Sequence, residues 1–221
     1  MSDPPLRHPV PSAPWLLSGE VIVVFVKQSR LGEAAALPAE LRPVPGPAVM
    51  WAGHWAQTPV GPFSELAVAV PARLGLRLGL CVTFSVVTNA EARLAGRVGW
   101  GFPRQLGDLR WVAVGPRRRL DWWDRHIEVT AESRRSSTPF ATALRALQWG
   151  ADGPLVVPTN LRGWARRADV RITTEAGDGL VGLVGERRGW LVSGRQFVIQ
   201  PSRAPSGAFR SRILAPAPAP G

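Results

Sequence analysis

Apolar residues along this chain occur mostly in short runs that glycine, proline, asparagine and aspartate separate. In residues 50–55 the even positions would share one strand face and the odd positions the other, because side chains alternate along a strand. Continuous apolar runs such as residues 82–87 are typical of strands that are covered on both faces. The pattern predicts an antiparallel, mainly β domain, with strands over residues 19–27, 48–56, 64–70, 79–87, 109–114, 127–132, 155–158, 168–173, 179–184, 189–191 and 196–200.

Two segments have the pattern of short helices. Residues 88–91 have the spacing of a capping box, which predicts a helix that begins near Asn89 and ends before Gly99. Residues 30–37 predict a second helix, which Pro38 would end.

The segment at residues 139–147 fits two structures. Its alanines and leucines recur with helical spacing, whereas its phenylalanine and threonine also suit a strand. A third short helix and a further strand therefore both stay open here.

The two ends of the chain differ from its middle. Residues 1–12 and 204–221 are rich in proline and carry few side chains that could pack, which predicts loose tails. Residues 13–203 contain no internal repeat and no linker. Since 221 residues are enough to bury a large core, we expect one domain over residues 13–203.

The charge is strongly positive. The chain has 27 basic residues against 16 acidic ones, a net charge of +11, and Lys27 is the single lysine among them. Positive charge attracts phosphates, but the arginines lie in short scattered groups and not in one stripe with exposed aromatic residues. We therefore rank nucleic-acid binding third among the possible functions.

The side chains that bind metals are scarce. Cys81 is the only cysteine, which excludes an internal disulfide and a cysteine-based metal site, and three histidines are poor material for a zinc site. We expect no metal and no cofactor.

The sequence also lacks membrane signals. Residues 1–14 lack the apolar segment of a signal peptide, and the apolar stretch at residues 21–26 is too short to span a bilayer. We expect a cytoplasmic protein without a membrane partner.

Three segments, in their order and spacing, resemble the acetoacetate decarboxylase family. They are residues 13–20 (APWLLSGE), 58–66 (TPVGPFSEL) and 95–106 (AGRVGWGFPRQL). The resemblance covers about residues 13–203. It implies an antiparallel β-barrel or cone-like domain around a pocket, in a homo-oligomer, and membership of a carboxy-lyase family.

The family's chemistry depends on a lysine directly after the proline of the third segment. That lysine condenses with the ketone of a β-keto acid, and the imine accepts the electrons released with carbon dioxide. Desolvation or a nearby cation activates such a lysine, as in acetoacetate decarboxylase itself. This chain has Arg104 there. A guanidinium stays protonated and cannot form an imine, so we expect the usual imine decarboxylation to be lost or altered.

The resemblance implies further pocket positions. Glu65 falls on the family's carboxylate, a second acidic position aligns with Met50, and Lys27 falls near the family's pocket arginine. Arg104 could bind a carboxylate with two hydrogen bonds, and Glu65 could orient Arg104 or receive a proton. Lys27 is the remaining candidate for an imine. The predicted catalytic residues are Lys27, Glu65 and Arg104, and the predicted substrate-binding residues are Met50, His54, Phe63, Trp100 and Phe102.

The predicted function is the binding of a small oxo acid or a related carboxylated metabolite in an internal pocket. Whether the chain is an active lyase stays open. The alternative is a binding module that holds a small molecule without turning it over.

Overall fold

The computed structural model describes residues 11–175 and 180–204. Most of the two predicted tails, residues 1–10 and 205–221, lies outside the described residues. The strands are β1 (Trp15–Lys27), β2 (Arg42–Pro43), β3 (Pro47–Gln57), β4 (Phe63–Leu74), β5 (Arg77–Val87), β6 (Arg104–Leu106), β7 (Leu109–Val114), β8 (Arg117–Trp122), β9 (Ile127–Ser133), β10 (Thr138–Gly150), β11 (Gly153–Thr174) and β12 (Gly185–Ile199).

The strands pair into one sheet, in the order β10-β5-β4-β3-β1-β12-β11-β9-β8-β7. The hairpin of β10 and β11 links the first strand of this order to the seventh, so the sheet curves back on itself in a cone-like arrangement. Strand β2 pairs with β4, and β6 pairs in parallel with β5. The prediction of a mainly β, largely antiparallel, cone-like domain is confirmed.

Each face of the sheet covers a core of its own. On one face, Ile22, Met50 and Leu66 pack with side chains from β8, β9 and β11; we call it the strand-covered face. On the other, Val21 and Phe63 pack with side chains of the helix described below; we call it the helix-covered face. Two covered faces explain the continuous apolar runs of the sequence, since every residue from 63 to 70 is buried.

The α-helix α1 (Ala90–Trp100) begins where the sequence predicts. The Asn89 Oδ1 accepts a hydrogen bond from the Ala92 N–H at 2.9 Å, which caps the first turn. The helix continues past the predicted end at Gly99, because Gly101 takes the left-handed conformation (φ 68°) that ends a helix. No helix among the described residues is long and apolar enough to cross a membrane.

Several predicted elements differ from the structure. Residues 30–37 do not form an α-helix, because the chain there takes two short 3-10 turns, Gln28–Arg30 and Gly32–Ala35. Another 3-10 turn, Val181–Leu183, replaces part of the strand predicted at 179–184, of which residue 179 lies outside the described residues.

Other segments are more extended than the sequence predicts. The open segment at 139–147 forms a strand, since it lies within β10 and pairs along its whole length with β11. The predictions at 155–158 and 168–173 are parts of β11, and those at 189–191 and 196–200 are parts of β12. Strand β8 was not predicted, because its arginines give it little apolar character. Those arginines pair with carboxylates, as in Arg117 with Glu132 and Arg119 with Asp121.

Candidate functional site

Glu65 and Arg104, the two motif residues, lie together on the helix-covered face. Glu65 lies on β4 directly opposite Gly53 of β3. Glu65 is 4% exposed. Arg104 is the first residue of β6, opposite Ser85 of β5, and is 3% exposed. Two side chains from separate sequence motifs thus meet in a region that solvent scarcely reaches.

The two side chains form a buried ion pair. Arg104 donates from Nε at 3.3 Å and from Nη2 at 3.1 Å to the Glu65 Oε1. Its Nη1 donates to the backbone oxygen of Ala92 in α1 at 2.9 Å. The rings of Phe63 and Phe102 each lie 5.5 Å from the Arg104 Cζ, which adds cation–π attraction in a desolvated setting.

Glu65 accepts three further hydrogen bonds. The indole N–H groups of Trp51 and Trp55 donate to its Oε2, each at 3.1 Å. The Ser85 hydroxyl donates to its Oε1 at 3.1 Å. Five donors therefore share about four lone-pair positions. In this arrangement the carboxylate has no free lone pair with which to accept a proton from a substrate.

The strand geometry of β3 explains how two indoles reach one carboxylate. Trp51, Gly53 and Trp55 share the helix-covered face, and Gly53 is the residue opposite Glu65. A Cβ on Gly53 would stand 2.2 Å from the Cγ1 of Val21. The glycine therefore lets the strands approach closely while its two neighbours on that face flank the carboxylate.

Arg104 keeps unused donors. A guanidinium has five N–H bonds, and three of those of Arg104 are used by Glu65 and Ala92. One N–H remains on each terminal nitrogen. A guanidinium can offer N–H bonds on its two terminal nitrogens to one carboxylate, which accepts two hydrogen bonds.

Three predicted substrate-binding residues belong to this region. Phe63 and Phe102 contact Arg104 directly. Trp100 is buried next to Phe102, with its ring 6.0 Å from that of Phe102 and 5.1 Å from that of Trp15. Its Nε1 donates to the Gln200 backbone oxygen at 3.0 Å, so Trp100 supports the wall of the site and does not touch the ion pair.

Met50 and His54 do not lie beside Glu65, contrary to the expected cluster. Both occupy even positions of β3 and face the strand-covered side, because successive side chains alternate. Met50 is fully buried in that core. The His54 Nδ1 lies 3.2 Å from the Ser64 Oγ, and burial lowers the pKa of His54. The β3 residue that contacts Glu65 is Trp51, one position after Met50.

Lys27 also lies away from the pair. It is the exposed last residue of β1 and is paired with Pro47. The β1 residue level with Glu65 is Val21, which lies opposite Gly53. Six residues of strand separate Val21 from Lys27, roughly 20 Å. Since Lys27 is the only lysine, no lysine side chain lies beside Arg104.

Sequence reasoning missed four residues that shape the site: Trp51, Trp55, Ser85 and Gly96. The W-x-G-x-W spacing of residues 51–55 was a usable signal, since it places two indole donors on one strand face. The role of Gly96 could not be predicted from the sequence, because it depends on the close approach of α1 to Arg104. A Cβ on Gly96 would stand 2.3 Å from the Arg104 Cδ.

A separate concavity, of about 1020 Å³, is lined by side chains of β7, β8, β9, β11 and β12. Neither Glu65 nor Arg104 lines it. Its charges are mostly paired across strands, as in Arg117 with Glu132 at 3.1 Å and Arg171 with Glu186. Among the described residues, no group of three or more His, Cys, Asp or Glu side chains could hold a metal ion.

Comparisons with known proteins agree with the sequence motifs. The sequence model of the acetoacetate decarboxylase family matches residues 3–148, which is more than half of the chain. A comparison with curated protein sequences finds no match.

Solved structures share the fold at low identity. Acetoacetate decarboxylase from Legionella pneumophila subsp. pneumophila str. Philadelphia 1 has a TM-score of 0.65 and 13% identity over 92% of this chain and 91% of its own. The enduracididine biosynthesis enzyme MppR, complexed with pyruvate, has a TM-score of 0.63 and 20% identity over 89% and 92%. An acetoacetate decarboxylase-like enzyme from Sphingomonas wittichii RW1 has a TM-score of 0.57 and 16% identity over 85% and 90%. Because the family's sequence model matches residues 3–148, the chain belongs to the acetoacetate decarboxylase family.

Proposed function

We propose that this chain binds a small oxo acid or a related carboxylated metabolite at Arg104, without forming the imine of the family's decarboxylases. The observation that carries the proposal is the guanidinium at the position of the family's lysine. It is buried, it is flanked by two aromatic rings, and it keeps one N–H on each terminal nitrogen.

The surroundings of Glu65 support binding of a second carboxylate. Glu65 has hydrogen bonds from Trp51, Trp55 and Ser85 that do not depend on Arg104, so a ligand that competes for the guanidinium leaves the carboxylate with partners. The binding of a ligand therefore leaves no buried acceptor without a partner, which would otherwise weaken binding. Charge-assisted hydrogen bonds in such a desolvated place are stronger than in water.

The same geometry argues against imine chemistry. Attack on a ketone requires a neutral amine, and a guanidinium does not lose its proton in proteins. Lys27 is exposed and roughly 20 Å away along β1. The saturated Glu65 carboxylate favours a binding module over a lyase that works by proton transfer.

Calorimetry with pyruvate and acetoacetate tests the proposal. We expect saturable binding to the wild type and its loss in Arg104→Met, since methionine keeps the bulk and removes the donors. Arg97→Met, at an exposed arginine on α1, is the control and should bind as the wild type does. Equal binding by Arg104→Met would contradict the proposal.

A chemical trap tests the absence of an imine. Protein incubated with acetoacetate and borohydride should gain no mass on a lysine, and acetoacetate should release no carbon dioxide above the uncatalysed rate. A borohydride adduct on Lys27 would show that imine chemistry survives at that residue.

Assembly into a homo-oligomer and a cytoplasmic location stay predictions. Exposed aromatic side chains such as Trp123 and Trp164 support self-association, and light scattering of the purified chain measures it. Nucleic-acid binding stays the third possibility. Steep salt-dependent retention on DNA near physiological salt would favour it.

A further inference from the structure

An apolar strip leads away from the Arg104–Glu65 pair along the helix-covered face. It starts at Trp51, whose indole donates to Glu65. Trp51 lies opposite Val23 of β1, and Val23 lies opposite Trp190 of β12. Residues that are directly opposite in antiparallel strands share a face. We call the row Trp51, Val23 and Trp190, together with Phe25, the aromatic strip.

The aromatic strip passes from the buried pair into solvent. Trp51 and Val23 are half-buried, whereas Trp190 is 37% and Phe25 47% exposed. The Phe25 and Trp190 rings meet edge to face, with centroids 5.5 Å apart. This pair exposes apolar surface to water, and a bound ligand could cover that surface.

The length of the strip exceeds that of a small oxo acid. Val21 is level with Glu65, and Phe25 lies four residues farther along β1, about 13 Å at the rise of a strand. Pyruvate at Arg104 could not reach Phe25. An oxo acid that carries a phenyl ring on a short alkyl chain, or a long acyl chain, would extend from Arg104 along the strip toward Phe25 and Trp190.

The charge at the open end of the strip suits an anionic ligand. Exposed Arg167 of β11 lies directly opposite Trp190, and exposed Lys27 shares the face of Phe25 at the end of β1. Cations at an entrance raise the local concentration of anions and their rate of association. The aromatic strip thus has the cations Arg167 and Lys27 near its exposed end, apolar side chains along its length, and the Arg104 guanidinium near its buried end.

From this arrangement we infer that the ligand of Arg104 is an elongated carboxylate whose aromatic or long apolar body lies along the aromatic strip. The inference rests on the proposed function, since it takes Arg104 as the carboxylate-binding group. It adds the chemical class of the ligand and assigns Phe25 and Trp190 as specificity-determining residues.

Calorimetry with 2-oxo-4-phenylbutyrate and pyruvate tests the inference. Both ligands carry the same oxo-acid group, but only the first has an apolar body that can extend along the strip away from Arg104. We expect 2-oxo-4-phenylbutyrate to bind at least about tenfold more tightly than pyruvate, because its phenyl ring buries additional apolar area. Trp190→Ala and Phe25→Ala should each lower its affinity severalfold and leave that of pyruvate unchanged.

Trp164→Ala is the matched control. Trp164 is also exposed, at 47%, but it lies opposite Ser193 of β12, whereas the helix-covered face carries the neighbouring Val192. Its loss should leave the affinities of both ligands unchanged.

The outcomes separate the two proposals. If neither ligand binds, the proposed function is wrong and the inference with it. If pyruvate binds and the phenyl ligand gains nothing, the inference alone is overturned. It is also overturned if Trp190→Ala lowers the oligomer mass in light scattering while the affinity for the phenyl ligand is unchanged, because the strip is then a contact between copies of the chain.

Discussion

Gly96 of α1 packs directly against the aliphatic part of the Arg104 side chain. A Cβ at Gly96 would stand 2.3 Å from the Arg104 Cδ and 2.9 Å from its Nε. The helix therefore confines the guanidinium and directs it at Glu65. Retention of this geometry requires a residue without a side chain at position 96.

Gly96→Ala should displace Arg104 and destabilise the protein. The cost of overpacking is about 1–3 kcal/mol, and it should exceed the gain of about 1 kcal/mol that alanine brings to a helix interior. Denaturant unfolding measures the difference. Gly99→Ala is the control, because a Cβ there meets no atom within 4 Å, and it should raise stability by about 0.5–1 kcal/mol. Equal effects of the two substitutions would contradict the role of Gly96.

The fold was largely predictable because strand and helix signals are local. The alternation of residues 50–55 and the cap at Asn89 both mark real elements. Strand β8 was missed because its stability depends on partners that lie elsewhere in the chain, such as Glu132 for Arg117. No local apolar pattern marks such a strand.

The site was predictable only in part. The motifs identified Glu65 and Arg104, which the structure brings together. The resemblance placed Met50 at the site, and an error of one residue moves a side chain to the other face of a strand. Trp51 is the neighbour on the correct face. Lys27 was matched across the stretch that leads to Pro38, where the chain takes two 3-10 turns, and the length of such an irregular stretch has no regular period from which to count.

The buried pair should show strong coupling in a double-mutant cycle. Glu65→Leu and Arg104→Met each leave one buried charge without its partner, and each should cost about 3–5 kcal/mol of unfolding free energy. The double variant leaves neither charge, so its cost should fall below the sum by about 2 kcal/mol or more.

The exposed pair of Arg117 and Glu132 is the control for this cycle. Its side chains are 75% and 59% exposed, and its coupling should stay below about 1 kcal/mol. Unfolding by denaturant, with both cycles at the same salt concentration, gives the comparison. Equal coupling in the two pairs would show that burial adds nothing to the interaction of Arg104 with Glu65.

Arg104→Lys should not create robust decarboxylation. An ammonium beside the Glu65 carboxylate is favoured in its charged form, whereas imine formation needs the neutral amine. Carbon dioxide release from acetoacetate and borohydride trapping measure the outcome. A background of Lys27→Arg removes the only natural lysine, so any lysine adduct would map to position 104. Robust turnover by this variant would contradict our account of the site.

His54 should make the protein less stable in mild acid. Burial lowers its pKa below the ordinary value of 6.5, so the unfolded chain binds a proton more readily than the folded one. Stability contributed by neutral His54 is thus complete above pH 6.5 and falls as the pH drops toward the folded-state pKa. The titratable side chain opposite it on β1 is Glu20, whose carboxylate already accepts hydrogen bonds from Arg118.

His54→Gln should remove this acid sensitivity, because glutamine can still meet the Ser64 hydroxyl and does not titrate. We expect the unfolding free energy of the variant, relative to wild type, to be constant between pH 7 and 8 and to rise as the pH falls from 6.5 to 5. The carboxylates titrate mainly below this window. His126→Gln, at a histidine whose side chain is 63% exposed, serves as the control, and its profile should run parallel to that of the wild type. A parallel profile for His54→Gln would contradict this prediction, because it would mean that the half-buried imidazole of His54 binds its proton as easily in the folded chain as in the unfolded one.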